Sequence, residues 1–110
     1  MKINMKEEVI DDIVIKIGQT AQENWNLLNT NGNYIWMHLN SFPSCHVIVE
    51  TEEPSEELLY ASAILCKDNT KYRNLKNLKI CYTKCSNLIK GKAVGSVHYV
   101  SNRQVKTIKI

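Results

Sequence analysis

The stretch that decides the fold spans residues 34–50 and reads YIWMHLNSFPSCHVIVE. Two apolar runs rich in strand-forming residues flank a short polar turn that contains Pro43. Because successive side chains of a strand point to opposite sides, Trp36 and His38 share one face, and His46 follows in the second run. The pattern predicts a hairpin-like pair of strands whose Trp–His face is either a second packed face or a functional face.

The pattern on either side of this pair predicts further strands and two helices. Further strands are expected at 11–17, 78–85, 95–100 and 104–110, and a short one at 1–5. A main helix is expected at about 55–69, with Pro54 suited to its first position, and a short helix at about 20–28. Residues 101–103 look like a tight hairpin turn. The predicted fold class is α+β, with a largely antiparallel sheet of six to seven strands.

Length and composition fit one globular domain that covers residues 1–110. The chain is 44% hydrophobic and 23% charged, as ordinary soluble proteins are. Its first ten residues contain no apolar run that resembles a secretory signal, and no apolar run is long enough to span a bilayer. We therefore expect a cytoplasmic protein that has no membrane partner.

Four cysteines raise the question of disulfides or zinc. Cys81 and Cys85 lie four residues apart in a strand-like run, so they would be separated by about 13 Å on one strand face. That separation is too large for two ligands of one tetrahedral zinc ion. We predict buried or half-buried free thiols and no metal.

The charges are divided unevenly along the chain. Residues 1–66 carry three basic and ten acidic side chains, whereas residues 67–110 carry eleven basic side chains and one acidic one. Such a split favours a polyanionic partner, although neighbouring surfaces of opposite charge could simply neutralise each other.

The basic half suggests which residues would contact a nucleic acid. The expected phosphate-binding set is Lys84, Asn87, Lys90, Lys92 and Arg103, with Trp36, His38 and His46 forming a nearby face that positions the partner. No glycine-rich phosphate loop is present, and neither a cofactor nor a small-molecule substrate is expected.

Catalysis is not predicted. Cys45 and His46 are adjacent in an extended run, so their side chains point to opposite faces and cannot form a nucleophile–base pair. His38 and His46 could meet across the strand pair, but no carboxylate accompanies them at a suitable spacing. A histidine pair of this kind is more often structural.

The residues resemble a known family, the NFACT-R domain, which is also called DUF814. The resemblance is carried by three segments in the family's order: Gly18, Ala21 and Asn24; Trp36-Met37-His38 followed by Pro43-Ser44-Cys45-His46-Val47-Ile48; and Tyr82, Asn87, Leu88, Lys90, Gly91 and Gly95. The same domain occurs in ribosome-associated quality-control factors and in the small eukaryotic proteins called coiled-coil domain-containing protein 25.

The resemblance implies RNA binding without chemistry, with tRNA, ribosomal RNA or the ribosome as partner. It singles out His38, His46, Asn87 and Lys90 as positions of interest. Two positions depart from the family pattern: Gln19 stands where the family has arginine, and Ser44 where it often has glycine. The alternative is a protein-interaction module that uses the acidic half or a strand edge, without nucleic acid.

Overall fold

The fold combines two antiparallel sheets with two helices. A computed structural model describes residues 6–110. The elements in chain order are β1 (Lys6–Ile10), β2 (Ile13–Ile17), α1 (Ala21–Asn26), β3 (Ile35–Leu39), β4 (Val47–Val49), α2 (Glu56–Asp68), β5 (Lys79–Lys84), β6 (Leu88–Lys90), β7 (Val97–Tyr99) and β8 (Lys106–Lys109). The α+β class and the largely antiparallel sheet that the sequence predicts are confirmed.

The main sheet contains six strands in the order β1-β2-β4-β3-β5-β8, and every neighbouring pair is antiparallel. The predicted strand pair lies at its centre, with Trp36 opposite Ile48 and Met37 opposite Val47. Alternation therefore sends Met37 and Val47 to one face and Trp36 and Ile48 to the other. Both sets are buried, so the sheet is covered on both sides.

Helix α2 covers one face of the main sheet. Its Leu58, Ala63 and Cys66 pack into a core with the inward-facing aliphatic side chains of β2, β3, β4 and β5. The Ser55 side chain accepts a hydrogen bond from the Leu58 backbone N–H at 3.1 Å and caps the helix. No helix among residues 6–110 is long and apolar enough to cross a membrane.

The opposite face of the main sheet is covered by a second layer. This layer consists of α1 and the two-stranded sheet β6–β7, in which Leu88 pairs with Tyr99. Leu27, Leu88 and Tyr99 pack around Trp36 in a second, smaller core. The layer lies over the Trp–His face of β3 and β4, which makes that face a packed one.

Three details of the sequence-based fold are wrong. The turn at 101–103 does not close a hairpin, because β7 pairs with β6 while β8 pairs with β5, and a one-turn 3-10 helix at Asn102–Gln104 joins the two sheets. Residues 88–90, which lie between the strands expected at 78–85 and 95–100, form a further strand, β6. Pro54 precedes the N-cap Ser55 and so lies outside α2. The strand expected at 1–5 lies outside the described residues.

Candidate nucleic-acid interface

Trp36, His38 and His46 form one aromatic cluster where β3 meets the start of β4. The Trp36 and His38 rings are parallel, with an interplanar angle of 7° and centroids 5.6 Å apart. The His46 ring stands edge-on to both, at 5.3 Å from Trp36 and 5.2 Å from His38. The two histidines thus meet across the strand pair, as their spacing allowed.

The second layer buries most of this cluster. Trp36 is 1% exposed and His46 is 2% exposed, whereas His38 is half-buried. Burial removes Trp36 from the side chains that can stack on an unpaired base, because its ring faces already contact protein. Two buried nitrogens, Trp36 Nε1 and His46 Nδ1, have no hydrogen-bond partner among the described residues.

Burial also keeps both imidazoles uncharged. The pKa of His46 is lowered to about 3, chiefly by desolvation and to a smaller extent by the nearby His38. Desolvation lowers the pKa of His38 as well. Near neutral pH the pair therefore offers aromatic surface and hydrogen-bonding nitrogens but no positive charge.

A cleft of about 650 Å³ opens beside the two histidines. We call it the histidine cleft. Its lining residues are Gly18, Gln19, Thr20, Ala21, Asn24, His38, Pro43, Ser44, Cys45, His46, Asn69, Val94, Gly95 and Ser96. Four separate segments converge here: the start of α1 with the residues before it, the β3–β4 region, the end of α2 at Asn69 and the loop before β7. None of the described lining residues is an acidic or a lysine or arginine side chain.

Close packing fixes one wall of the histidine cleft. Asn24 Oδ1 accepts a hydrogen bond from the His46 backbone N–H at 3.0 Å, and the Gly18 N–H donates to the His46 carbonyl at 3.0 Å. A Cβ atom at position 18 would collide with Asn24 Oδ1, so only glycine allows this approach. The wall thereby ties α1 to β4.

The opposite wall is held by Trp25 and Gly95. Trp25 Nε1 donates to the Ser96 carbonyl at 2.9 Å, which joins α1 to the loop before β7. Gly95 adopts a φ of +90°, and a Cβ atom there would lie 3.1 Å from the Ala21 Cα. Lys90 Nζ lies 5.4 Å from the centre of the Trp25 ring, which places one cation at the rim.

A second concave surface, of about 370 Å³, lies near the β8 edge of the main sheet. We call it the basic groove. Lys84 pairs with Ile35 and Lys106 pairs with Tyr82, so all four side chains belong to the sheet face that α2 also packs on. Arg103 completes the lining together with the neighbouring Thr83 and Gln104. Three cations surround one half-buried tyrosine.

The predicted phosphate-binding residues are consequently divided between two surfaces. Lys84 and Arg103 meet at the basic groove. Lys90 and Lys92 lie on or just after β6, in the layer on the other side of the main sheet. Lys90 and Lys92 are exposed, so each could meet a ligand from solvent.

Asn87 is buried and holds the second layer in place. The residue is 3% exposed. The Nδ2 atom donates one hydrogen bond to Thr83 Oγ1 at 3.1 Å and another to the Ser101 carbonyl at 2.9 Å. The Oδ1 atom accepts a hydrogen bond from the Ser101 N–H at 2.8 Å. These bonds use both amide hydrogens and one acceptor site of the carbonyl oxygen. Asn87 is therefore a positioning residue rather than a phosphate contact in this conformation.

A family model described as the NFACT protein RNA binding domain matches residues 4–105. The chain belongs to this family. The Rqc2 homolog RqcH of Bacillus subtilis (strain 168) is 29% identical over 73 residues, which make up 64% of the chain and 13% of that relative. The C-terminal structure of the fibronectin/fibrinogen-binding protein from Streptococcus suis superposes with a TM-score of 0.89 at 22% identity. That match covers 100% of the chain and 46% of the solved one. The resemblance to NFACT-R is confirmed.

The NFACT-R fold also brings together residues outside the set of eight that the sequence predicts as RNA contacts. Gln19, Asn24 and Ser96 line the histidine cleft, and Tyr82 and Lys106 line the basic groove. Gln19 and Asn24 were visible only as part of the family's early segment. Lys106 lay among the basic residues of the last third, but nothing in the sequence pairs it with Tyr82.

The cysteines of this NFACT-R domain lie inside the two cores. Cys45, Cys66, Cys81 and Cys85 are all buried and free, as predicted. Burial raises the pKa of Cys85 to about 12 and also raises that of Cys81, which suits inert packing thiols. Among residues 6–110, no three His, Cys, Asp or Glu side chains are grouped closely enough to hold a metal ion.

Proposed function

We propose that this domain binds RNA through the basic groove, with tRNA or ribosomal RNA as the partner and ribosome-associated quality control as the cytoplasmic setting. The observation that carries the proposal is the meeting of Lys84, Arg103 and Lys106 around one concave surface. Lysine and arginine bind phosphate by charge, and the arginine fork adds paired hydrogen bonds. No acid is among the described residues of the lining.

Tyr82 adds a stacking surface to these charges. Its ring is half-buried between Lys84 and the paired Lys106, so part of it remains open in the groove. Single-stranded nucleic acids bind to such combinations of positive charge and aromatic rings. The groove thus suits an RNA backbone that has at least one accessible base.

Membership of the NFACT-R family supports RNA as the polyanion. The family is described by RNA binding, and the likeness to RqcH supports a ribosome-linked role. The chain spans 13% of the length of that relative, so we propose the setting from the shared domain alone. We further propose that residues 1–110 act as one domain and bind without catalysis, cofactor or membrane contact.

Lys90 and Lys92 supply a second set of phosphate contacts in this account. They lie on or just after β6, on the side of the main sheet away from the basic groove. An RNA that is folded, such as tRNA, can follow the edge of the domain and reach both surfaces. The basic groove provides three cations, and the β6–β7 hairpin, which carries Lys90 and Lys92, provides two.

A second candidate function is a protein interaction at the outer edge of the main sheet. Within residues 6–110, β1 has β2 on one side and no strand on the other, and its Val9 is 65% exposed. An open edge can receive a strand from a partner. Pull-down of a protein that survives nuclease treatment and high salt would favour this function over RNA binding.

The test of the RNA proposal measures the affinity of the purified protein for labelled single-stranded RNA and for tRNA by fluorescence anisotropy. The double variant Lys84→Glu/Arg103→Glu should weaken binding by at least about tenfold, because two charge-assisted contacts become repulsive. Lys76→Glu is the matched control, since Lys76 precedes the opposite end of β5. Equal losses in the groove variant and the control would remove the groove from the site.

A further inference from the structure

The histidine cleft is unusual in its lack of charge. The chain has 14 lysine and arginine and 11 acidic side chains, yet none of the described lining residues carries one. Its size lies within the range of about 300–1,000 Å³ that is common for ligand sites. A phosphate group would find no cation on the floor of this cleft, so an uncharged ligand group fits it better.

The lining matches a flat, uncharged heterocycle. His38 is half-buried against Trp36, so part of its aromatic surface remains open to the cleft. Neutral imidazole is one of the rings on which unpaired bases stack. Stacking needs little more than this surface, which makes the cleft tolerant of different bases.

Hydrogen-bonding groups surround that stacking surface. The Gln19 side-chain amide and Asn24 Nδ2 have no hydrogen-bond partner within residues 6–110. Amides present both donors and acceptors, which suit the edges of nucleobases. The buried His46 Nδ1, which also has no partner there, adds an acceptor or a donor according to its tautomer.

One cation, Lys90, lies close to a wall of the cleft. Lys90 lies over Trp25, and Trp25 is bonded to Ser96 in the wall of the cleft. A nucleotide with its base inside would therefore place its phosphates near Lys90, outside the uncharged floor. Contact of the base with uncharged groups and of the phosphate with a cation is the arrangement expected for a bound unpaired nucleotide.

We propose that the histidine cleft holds one unpaired nucleobase of the bound RNA, stacked on His38 and bonded along its edge by Gln19 and Asn24. The inference rests on the proposed RNA binding and deepens it, since it predicts a preference for single-stranded over duplex RNA. The basic groove supplies affinity, and the cleft supplies the distinction between paired and unpaired strands.

The experiment compares the affinities of the full chain for a single-stranded RNA and for a duplex of the same sequence at low salt. His38→Ala should lower the preference for the single strand by about tenfold, because one stacked base is lost. His38→Phe keeps a ring and should retain the preference. Gln19→Ala, at an exposed position, should weaken single-strand binding by a few fold without affecting folding. His98→Ala, an exposed histidine on β7, is the matched control and should change nothing.

Each outcome decides a separate point. Equal affinity for single strand and duplex, or a preference that survives His38→Ala, would overturn the cleft proposal and leave RNA binding in place. Absence of any RNA binding at low salt would overturn both proposals. Tight binding of adenosine or uridine alone would show a free-nucleoside site and would also overturn the assignment to RNA. NMR shifts of cleft residues that appear with single-stranded RNA and not with the duplex would support it.

Discussion

The imidazole of His46 stands edge-on to that of His38, with an interplanar angle of 84° and centroids 5.2 Å apart. Both rings are close to Trp36; His46 is fully buried, and His38 is half-buried. Protonation of either imidazole would place a poorly solvated charge beside its neighbour. The pair is therefore held neutral, and this affects both stability and ligand choice.

The first prediction concerns stability in acid. The pKa of His46 is about 3 in the folded protein, below the value near 6.5 in the unfolded chain. Between these two pH values the imidazole is protonated in the unfolded chain but neutral in the folded protein. The free energy of unfolding should therefore fall as pH drops from about 6.5 toward 3, at up to about 1.4 kcal/mol per pH unit from this group. Urea denaturation at a series of pH values measures the slope.

His46→Gln should flatten that slope, while His98→Gln serves as the control and should leave it unchanged. An NMR titration of the wild-type imidazole signals gives the same information without a variant. If His46 titrates near its ordinary pKa in the folded protein, the account of a desolvated neutral pair is wrong.

The second prediction concerns Asn87, which anchors the second layer. Asn87→Ala leaves the Ser101 N–H and carbonyl without their partner and should reduce the free energy of unfolding by about 2 kcal/mol. Asn102→Ala, at an exposed asparagine next to Ser101, should stay within about 0.5 kcal/mol of the wild type. A loss of RNA affinity in folded Asn87→Ala without a loss of stability would instead indicate a direct contact.

The third prediction concerns Gly95 in the wall of the histidine cleft. Gly95→Ala forces a β-carbon into a left-handed φ of +90° and to 3.1 Å from the Ala21 Cα. The variant should lose about 1–3 kcal/mol of stability, and the displaced loop should weaken the single-strand preference. Val100→Ala changes an exposed residue outside the lining of the cleft and should alter neither property. Unchanged thermal unfolding of Gly95→Ala would contradict the strained contact.

Local sequence pattern predicted the elements that are long or strongly alternating. The β3–β4 pair and α2 were predictable because alternation and helical spacing run over several residues in each. The three-residue β6 was missed because so short a run shows no period. The turn at 101–103 has the composition of a hairpin turn. However, β7 pairs with β6, and this pairing depends on tertiary packing that local composition does not reveal.

The sequence predicted that the candidate RNA-binding surface is basic, but it did not predict where the basic residues lie on the fold. The charge split indicated a basic surface, yet side-chain alternation on β5 and the separate β6–β7 layer place Lys84 and Lys90 on opposite sides of the main sheet. The burial of Trp36 and Asn87 depends on that second layer, which the sequence did not predict. The expectation that Trp36 helps to position the partner rests on its residue type and its strand face, neither of which reveals its burial.

The measurement that tests the central claim most directly is the salt dependence of single-stranded RNA affinity for the wild type and for Lys84→Glu/Arg103→Glu. If the groove and the hairpin neutralise five phosphates, log affinity should fall against log salt with a slope of about −3.5. The double variant should bind more weakly and show a slope shallower by about 1.4, because two phosphate contacts are lost. A salt-independent wild-type affinity, or a slope that the double variant leaves unchanged, would contradict RNA docking at the basic groove.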